Sequence, residues 1–374
     1  MKHIHVTDIT ELEEMLMHTV ISNCIFRNLD FSAVGELPLS RSFHDCIFVG
    51  CHMSDRLKEH VEENNIILPR LRVPYRVPSH LYSSADLYDA YRTGDPSSYA
   101  RCYDSRVYAH YLNKGKQVTP DTDLKDSFGR VLHDYAISNL LHEFLSEYGE
   151  LSVIGVMGGH GMLRTDPAYS AVVRVSKMLT EEGYLMVSGG GPGAMEATHL
   201  GAWMAGRSGE EVDKALEILS GAPSFKDELW LDSAFRVMDL FPVGKYRSLG
   251  IPTWLYGHEP ATPFATHIAK YFDNSIREDS ILTIAKGGII YTPGSAGTIQ
   301  EIFQDATQNH YESFGFASPM VFMGKEFWTG KLPVYNLLES LMEKGLYRNL
   351  ILHIVDNADE AVEAIKSFSC VRGH

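Results

Sequence analysis

Three glycine-rich runs stand where apolar segments end, and their composition suits the binding of an anion. They are residues 158–161 (GGHG), 189–195 (GGGPGAM) and 293–297 (PGSAG). Because glycine has no Cβ, the backbone of such a turn can approach an anion closely, and the N–H groups of a helix that begins there point at it. Three such turns in one region predict a pocket for a phosphate-bearing ligand.

We expect the second and third runs to hold the phosphate and the first run to form part of the pocket wall. The glycine-run residues expected to bind this ligand are Gly189, Gly190, Gly191, Gly193, Gly294, Ser295, Ala296 and Gly297. The residues expected in the wall are Gly158, Gly159, His160, His258 and Glu259. His160 could contact the ligand, although a polar residue in a glycine turn is more often only tolerated there, and no role is assigned to His258 or Glu259.

A dinucleotide site of the GxGxxG type fits the same runs less well. Arg164 stands where the third glycine of the first run should let the helix pack closely. Residues 189–194 match GxGxxA, but they follow the second predicted strand rather than the first. A mononucleotide is therefore the favoured ligand, and NAD is the alternative.

Glu301 carries the carboxylate that follows the third glycine run. One interpretation is structural, because residues 298–301 (TIQE) match a capping box with Thr298 as the N-cap and Glu301 at N3. The other is functional, because a carboxylate one turn into a helix that holds a phosphate is within reach of the attached sugar. The glycine runs favour the functional interpretation.

Two other groups of residues give weaker predictions. Lys245, Tyr246 and Arg247 precede a predicted strand and could meet a phosphate, although a basic trio on a turn is more often solvated. Residues 81–112 hold seven tyrosines interleaved with Arg92, Arg101 and Arg106. They form either a stacking surface for nucleobases or an amphipathic packing layer, and the acidic composition favours packing.

The elements that must position these runs alternate along residues 151–374. Apolar segments at 151–157, 184–188, 250–256, 288–292, 321–323 and 352–355 predict strands, and residues 167–182 and those from Asp123 onward predict helices. This alternation predicts an α/β fold with a Rossmann-like parallel sheet and helices on both faces. Residues 206–243 are interpreted as an insertion with its own helices.

The first 66 residues follow a different pattern. Apolar residues recur at five-residue steps, and two interpretations stay open: a small αβ cap with an ordinary core, or a short pentapeptide-like β-coil. The recurring residues are Cys24 and Leu29, Cys46 and Cys51, Phe26 and Phe31, and Phe43, Phe48 and Met53. The predicted domains are a cap (1–66), a Pro- and Tyr-rich connector (67–123) with Pro69, Pro74 and Pro78, and a nucleotide-binding catalytic domain (124–374).

Composition excludes several classes of function. The 374 residues include 33 Lys and Arg against 48 Asp and Glu, and the formal charge of -15 disfavours nucleic acid as a partner. Five cysteines without CxxC spacing and 17 histidines without an HExxH pattern predict neither disulfides nor a metal. With no signal peptide and no apolar run of about 20 residues, we expect a cytoplasmic protein without a membrane partner.

The second and third glycine runs together resemble the paired motifs of the Lonely Guy (LOG) family, which is also labelled as lysine decarboxylases. Residues 189–195 are similar to its GGGxxGxM loop, and residues 293–301 (PGSAGTIQE) resemble its PGGxGTxxE signature, with Ser295 in place of a glycine. Residues 257–260 (GHEP), with Pro263, look closest to the longer bacterial nucleotide 5′-monophosphate nucleosidases. The resemblance covers residues 151–355 and adds Met195 and Thr298 to the expected binding residues.

This resemblance implies a Rossmann-like enzyme that forms a homodimer or a higher homo-oligomer. It would hydrolyse the N-glycosidic bond of a nucleoside 5′-monophosphate such as AMP, releasing the base and ribose 5-phosphate without a cofactor. Glu301 matches the family's catalytic glutamate, and Arg277 is the candidate for its catalytic arginine, one residue farther from Pro293 than usual. Bond cleavage develops oxocarbenium character on the ribose, which a carboxylate can stabilise while it activates a water. Arg277 would pair with Glu301, bind the ribose or contact the base.

Two other functions compete with the nucleosidase. A non-catalytic regulatory protein could use the same loops to bind a nucleotide or an alarmone. A decarboxylase ranks last, because the sequence shows no lysine motif for pyridoxal phosphate.

Overall fold

Two units share the chain, and each is assembled from two separate stretches of sequence. The structure is a computed structural model that describes residues 4–68, 73–116 and 123–372. As far as they are described, Met1–His80 and Gln117–Ala136 form the first unit, and Leu81–Lys116 and Ile137–His374 form the second. This division groups residues 81–116, which the sequence analysis assigns to a connector, with the α/β residues. Pro69 lies outside the described residues.

The first unit is built from short parallel strands. Its elements are β1 Ile4–Val6, α1 Ile9–Met15, β2 Val20–Ser22, β3 Cys24–Arg27, β4 Ser42–His44, β5 Ile47–Val49, α2 Asp55–Val61 and β6 Ile66–Leu68, with 3-10 turns at Phe31–Val34, Leu37–Ser40 and Glu62–Asn64. One sheet has the order β1-β3-β5-β6, and β2 pairs with β4 in a second sheet.

Successive turns of this parallel coil lie in register. Ile25 pairs with Ile47 and Val20 pairs with Ser42, so both sheets repeat after 22 residues at this level. The core of the coil contains Phe26 stacked on Phe48, with 4.9 Å between the ring centroids. The four cysteines whose side chains are described, Cys24, Cys46, Cys51 and Cys102, are free thiols. Assignment of the coil to the pentapeptide class stays a prediction.

The second unit contains a seven-stranded parallel sheet. Its strands are β7 Val153–Met157, β8 Leu185–Ser188, β9 Ser248–Gly250, β10 His267–Ile268, β11 Gly288–Tyr291, β12 Pro319–Met323 and β13 Ile351–Val355. Its helices are α3 Ser84–Leu87, α4 Tyr103–Asn113, α6 Pro167–Glu181, α7 Ala194–Trp203, α8 Gly209–Ser220, α9 Trp230–Leu240, α10 Asn274–Ile284, α11 Ala296–Tyr311, α12 Val334–Glu343 and α13 Ala358–Arg372. Helix α5, Leu124–Leu145, contains the boundary between the units.

The order of the strands gives the sheet a Rossmann-like topology. Along the sheet the order is β10-β9-β8-β7-β11-β12-β13, and every pairing is parallel. The chain therefore starts in the middle at β7, adds strands on one side, and returns to add β11 on the other. A crevice opens at the carboxyl ends of β7 and β11, where the direction of winding reverses, and ligands of open α/β sheets bind at this position. The predicted α/β fold is confirmed.

Local sequence explains where the elements begin and end. All five residues of β7 are buried, as expected for a central strand covered on both faces. Helix α6 begins at Pro167, a residue suited to the first helical position. The predicted insertion shares the core of the sheet, because Val212 of α8 and Val237 of α9 belong to the same buried cluster as Ile154.

One predicted strand is wrong in its extent. Residues 250–256 do not form a strand; β9 ends at Gly250, and Trp254–Tyr256 forms a 3-10 turn. Pro252 has no N–H to give to a neighbouring strand. The Thr253 side chain accepts a hydrogen bond from the Leu255 N–H at 3.0 Å, which starts the turn. The edge strand β10 had no counterpart in the sequence analysis.

The tyrosine-rich segment packs into the second unit rather than forming a base-stacking surface. Asp104, which is fully buried, accepts hydrogen bonds from the Lys270 Nζ at 2.5 Å and from the Trp254 Nε1 at 2.9 Å. The Tyr88 hydroxyl donates to the Ala261 carbonyl. The structure thus supports the packing interpretation, and this segment fixes the loop that follows β9.

Candidate functional site

The three glycine runs meet at the carboxyl edge of the sheet, between β7 and β11. The Gly159 N–H donates to the Pro293 carbonyl at 3.1 Å, and the Ala194 N–H donates to the Gly159 carbonyl at 3.3 Å. The first run therefore contacts both of the others. The sequence predicted separate glycine turns near one ligand, and the structure brings all three together.

Glycine is required at two positions of this junction. A Cβ on Gly158 would overlap the Thr292 hydroxyl and lie 2.7 Å from the Ala194 Cβ. Gly193 has a φ of +70°, in the left-handed region, and a Cβ there would clash with the Gly159 carbonyl. Side chains at these positions would force the loops apart.

A cavity of about 480 Å³ lies against this junction. It is bounded by the first and third runs and by the start of α6. The lining residues are Gly159, His160, Gly161, Met162, Asp166, Pro167, Ala168, Pro293, Gly294, Ser295 and Phe327. Its volume falls within the usual range for small-molecule sites.

The first turn of α11 has the features of an anion site. Ser295 is the N-cap, and no side chain caps the helix. The first N–H groups of a helix have no partner within it, and they carry the positive end of its dipole. Ser295, Ala296 and Gly297 are exposed, so a ligand can reach them.

The predicted capping box at residues 298–301 is wrong. Because the helix begins at Ala296, Thr298 occupies N3 and Glu301 lies in the second turn, too far along the helix to bond its N-cap. Ser295 has a φ of −128°, an ordinary value, so serine fits here without the strain that a left-handed position would impose. Glu301 thus has no capping role.

Glu301 lies in a partly desolvated position beside two charged groups. Burial raises its pKa to about 7; the Arg277 charge opposes this increase, and the Glu278 charge adds to it. The Arg277 guanidinium acts on Glu301 through its charge, without a hydrogen bond between the two side chains. A carboxylate with a pKa near 7 suits proton transfer at neutral pH.

Arg277 lies across the second glycine run. Its Nε donates to the Ile251 carbonyl at 3.0 Å, which fixes the guanidinium. A Cβ on Gly189 would clash with the Arg277 Nη2 and lie 2.6 Å from the Met195 Sδ. The structure therefore groups Arg277, Gly189 and Met195. Neither Arg277 nor Glu301 is among the residues that line the 480 Å³ cavity.

Glu259 connects the two groups of residues. Its Oε1 lies 3.7 Å from the Nε2 of His160, which lines the cavity, and 3.7 Å from the Nε2 of His258. Its Oε2 lies 3.9 Å from the position of a Cβ on Gly191. These residues are predicted in the pocket wall, but their spacing in the sequence does not predict the contacts between them.

The sequence gives no signal for the buried hydrogen bonds that hold the second glycine run in place. His199 of α7 bonds the Ser188 hydroxyl at 2.8 Å and the Ser248 hydroxyl at 2.9 Å. Burial lowers its pKa to about 3, so the imidazole is neutral. The Gly190 N–H donates to the Ser188 hydroxyl at 3.2 Å.

Arg164 has a structural role that explains its departure from the dinucleotide pattern. Its Nε and Nη2 donate to the two carboxylate oxygens of Glu196 at 2.9 and 2.5 Å, and both side chains are buried. The Tyr169 hydroxyl donates to the same carboxylate at 2.9 Å. This cluster joins the end of the first run to the first turn of α7.

The basic trio at residues 245–247 lies where the parallel strands begin, whereas the glycine runs lie where the strands end. It precedes β9, whereas the runs follow their parallel strands. Arg247 forms an exposed ion pair with Glu147 at 2.8 Å. A contact between this trio and a phosphate at the glycine runs is therefore excluded, and the solvated interpretation holds.

Within the described part of the chain, no group of three or more His, Cys, Asp or Glu side chains could hold a metal ion. Over the same residues, no helix is both long and apolar enough to cross a membrane.

Comparison with known proteins assigns no family to the chain. No protein-family model and no curated protein matches the sequence. Solved structures to which it is similar include the molybdenum cofactor binding protein from Rippkaea orientalis, at 15% identity and a TM-score of 0.37 over 57% of this chain and 95% of that one. The chain is also similar to TM1055, at 18% identity and a TM-score of 0.38 over 57% of this chain and 98% of that one. It is similar to the Moco carrier protein from Chlamydomonas rheinhardtii at 15% identity and a TM-score of 0.35 over 58% of this chain and 97% of that one. Similarity at this level does not indicate what the chain binds.

Proposed function

We propose that the protein hydrolyses the N-glycosidic bond of a nucleoside 5′-monophosphate to give the free base and ribose 5-phosphate. The observation that carries this proposal is the position of Glu301. Its carboxylate is partly buried and has no capping role, and it lies near Arg277, whose charge opposes the increase in the Glu301 pKa and whose guanidinium lies against the second glycine run. The resemblance of the paired motifs to the LOG family supports the same reaction.

The start of α11 would hold the 5′-phosphate. Its uncapped first-turn N–H groups are exposed, and the junction of the glycine runs leaves room for an anion to approach. Glu301 is five residues beyond Ala296, which is about 7.5 Å along the helix axis. A ribose attached to a phosphate at the helix start would extend over this distance.

Glu301 would act in its ionised form. As the bond from C1′ to the base nitrogen breaks, positive charge develops on the ribose, and a carboxylate beside it stabilises that charge. The same carboxylate can accept a proton from the attacking water. Since the pKa of Glu301 is about 7, we expect the rate to rise as the pH increases through this value.

Arg277 would keep Glu301 competent and limit where the sugar lies. Its charge opposes the increase in the Glu301 pKa and so favours the ionised form near neutral pH. Its hydrogen bond to the Ile251 carbonyl holds the guanidinium over Gly189, where it can contact a ribose hydroxyl.

The test is release of base from AMP, GMP, CMP and dTMP, measured by chromatography, for the wild type and two variants. Glu301→Gln should lower kcat by about 10³-fold, within the range for loss of a catalytic acid or base with its charge. Asp305→Asn is the matched control, because Asp305 lies one turn further on α11, is buried, and also has a pKa raised to about 7. Equal turnover by the wild type and Glu301→Gln would contradict the proposed role.

A second candidate is a non-catalytic nucleotide-binding regulator. The observation in its favour is that the 480 Å³ cavity is not lined by Glu301 or Arg277. It predicts that AMP or GMP binds, as measured by calorimetry, while no base is released from any of the four nucleotides. Release of base from any one of them would exclude it.

A further inference from the structure

A second acidic group lies at the glycine junction, and the proposed reaction gives it no role. The side chain of Glu259 is 16% exposed, while those of His160 and His258 are 52% and 60% exposed. One carboxylate oxygen thus lies at the same 3.7 Å distance from two imidazole nitrogens. At 3.7 Å these contacts are longer than hydrogen bonds, and contacts between catalytic groups often shorten when substrate binds.

Contacts with three parts of the second unit fix the loop that carries Glu259. The Thr262 N–H donates to the Gly190 carbonyl at 2.8 Å. The Tyr108 ring packs so closely on Gly257 that a Cβ there would clash, and Lys116 donates to the Leu255 carbonyl at 2.8 Å. The carboxylate is therefore held by a fixed loop.

His160 lies between this carboxylate and the cavity. Its Nε2 faces Glu259, and the residue lines the 480 Å³ space. The Phe225 ring meets the imidazole edge-on, with 5.9 Å between the centroids. With Nε2 directed at Glu259, Nδ1 is the nitrogen that can serve a ligand in the cavity. His258 shares the same carboxylate oxygen but is not among the residues that line the cavity.

We propose that His160 donates a proton to the departing base and that Glu259 is the residue that positions it. This inference rests on the proposed function. When the bond between C1′ and the base nitrogen breaks, its electron pair stays on the base, and the His160 Nδ1 proton neutralises it there. Water attacks C1′ and gives its proton to Glu301. His160 regains a proton from solvent and Glu301 loses one, so protons balance over the cycle.

Glu259 supports this role through geometry. Its carboxylate faces Nε2 at 3.7 Å and so fixes which nitrogen of His160 faces the cavity. The arrangement separates two tasks, with Glu301 at the sugar and His160 at the base.

The experiment compares two substrates that differ in their need for an acid. GMP must have its base protonated as it leaves, whereas N7-methylguanosine 5′-monophosphate carries a positive charge on the base and leaves without protonation. We expect His160→Gln to lower kcat on GMP by about 10²- to 10³-fold and on the methylated substrate by less than about 5-fold. Glu259→Gln should give the same pattern with a loss of about 10- to 100-fold on GMP.

Two further variants make the outcomes distinct. His258→Gln is the matched control, since it removes the other imidazole from the same carboxylate, and it should keep turnover within about 3-fold of the wild type on both substrates. Glu301→Gln should lose turnover on both substrates. Thermal melting establishes that each variant is folded.

The failure of this inference differs from the failure of the proposed function. If a folded His160→Gln variant loses equal activity on both substrates, or none, His160 is not the leaving-group acid, and the nucleosidase proposal stands. If the wild type releases no base from GMP, from its methylated form, or from AMP, CMP and dTMP, the proposed function fails, and the role of His160 fails with it.

Discussion

The corners of the N-terminal coil and the loops at the edge of the Rossmann-like sheet solve the same backbone problem in different ways. At both ends of β3 the coil turns through left-handed residues with side chains, Asn23 (φ 56°) and Asn28 (φ 53°). At the edge of the sheet the left-handed positions of the second run are Gly190 and Gly193. Asparagine tolerates this conformation because its short polar side chain can bond locally, whereas glycine leaves the space empty.

The backbone N–H groups at the corners of the coil differ from those at the start of α11. In the coil they are used within the structure: the Asn28 N–H donates to the Val49 carbonyl at 2.8 Å, and the Asn23 N–H donates to the His44 carbonyl at 3.1 Å. At the start of α11 the helix has no side-chain cap. One region uses its turns to join neighbouring strands, and in the other no side chain occupies the helix start. This difference favours the start of α11 as part of the candidate site.

The largest effect should come from the core of the coil. Phe48 is fully buried, stacks on Phe26 at 4.9 Å and meets Phe43 at 5.6 Å. Phe48→Ala should lower the free energy of unfolding by about 3–5 kcal/mol, as expected for truncating a buried aromatic residue. Urea denaturation followed by circular dichroism measures this. Met17→Ala, at a side chain that is 79% exposed, is the control and should change it by less than about 0.5 kcal/mol.

A smaller effect should separate the two kinds of left-handed turn. Gly193→Ala adds a Cβ at a residue whose φ is positive, and this Cβ would clash with the Gly159 carbonyl. We expect the free energy of unfolding to fall by about 2–4 kcal/mol and nucleotide binding to be lost. Asn28→Gly should change stability by less than about 1 kcal/mol, because glycine accepts the same φ. Gly161→Ala controls for an added methyl group, since nothing lies within 4 Å of its Cβ position. A tolerated Gly193→Ala substitution would show that the junction is not closely packed.

The sequence was sufficient to predict the parts of the sheet that depend on local signals. Apolar runs placed β7, β8, β11, β12 and β13, and glycine marked the loops that follow three of these strands. The position of Glu301 beyond the glycine run was also a local signal. The capping-box interpretation failed because it requires Thr298 to be the N-cap of α11. Residues 298–301 alone do not fix where the helix begins, and the structure has Ser295 as the N-cap and Ala296 as the first helical residue.

The remaining contacts could not be predicted because they join distant residues. Lys270 and Asp104 are 166 positions apart, and Arg164 and Glu196 are 32 positions apart. Periodicity over a short window contains no information on such pairs. The approach of Glu259 to His160 likewise depends on two loops that only the folded sheet brings together.

The pH dependence of stability should distinguish α11 from a helix with surface carboxylates. Glu301 and Asp305 have folded pKa values of about 7, against 4.5 and 3.8 in an ordinary environment. Folding therefore favours their protonated forms. The stabilisation is full below pH 3.8–4.5 and is lost as the pH rises through about 7. Each group should contribute roughly 1–3 kcal/mol to this change.

Urea denaturation at pH 5 and pH 8 measures this contribution. Glu301→Gln and Asp305→Asn should each reduce the loss of stability between the two values, because the amides do not titrate. Glu339→Gln, at an exposed position of α12, should leave the loss unchanged. An unchanged loss in Glu301→Gln would mean that its carboxylate is solvated and unsuited to the proposed proton transfer.

The smallest effect on stability and binding should come from a substitution at the amino ends of the parallel strands, away from the glycine runs. Arg247 pairs with Glu147 at 2.8 Å, and both side chains are about half exposed, at 47% and 59%. Exposed ion pairs contribute about 0–1 kcal/mol, so Arg247→Ala should change stability by less than this and leave nucleotide binding within about twofold of the wild type. Calorimetric titration with AMP measures the binding. Because parallel strands present their carboxyl ends at one edge only, a strong loss of affinity in Arg247→Ala would place the ligand at the wrong edge and contradict the site at the glycine junction.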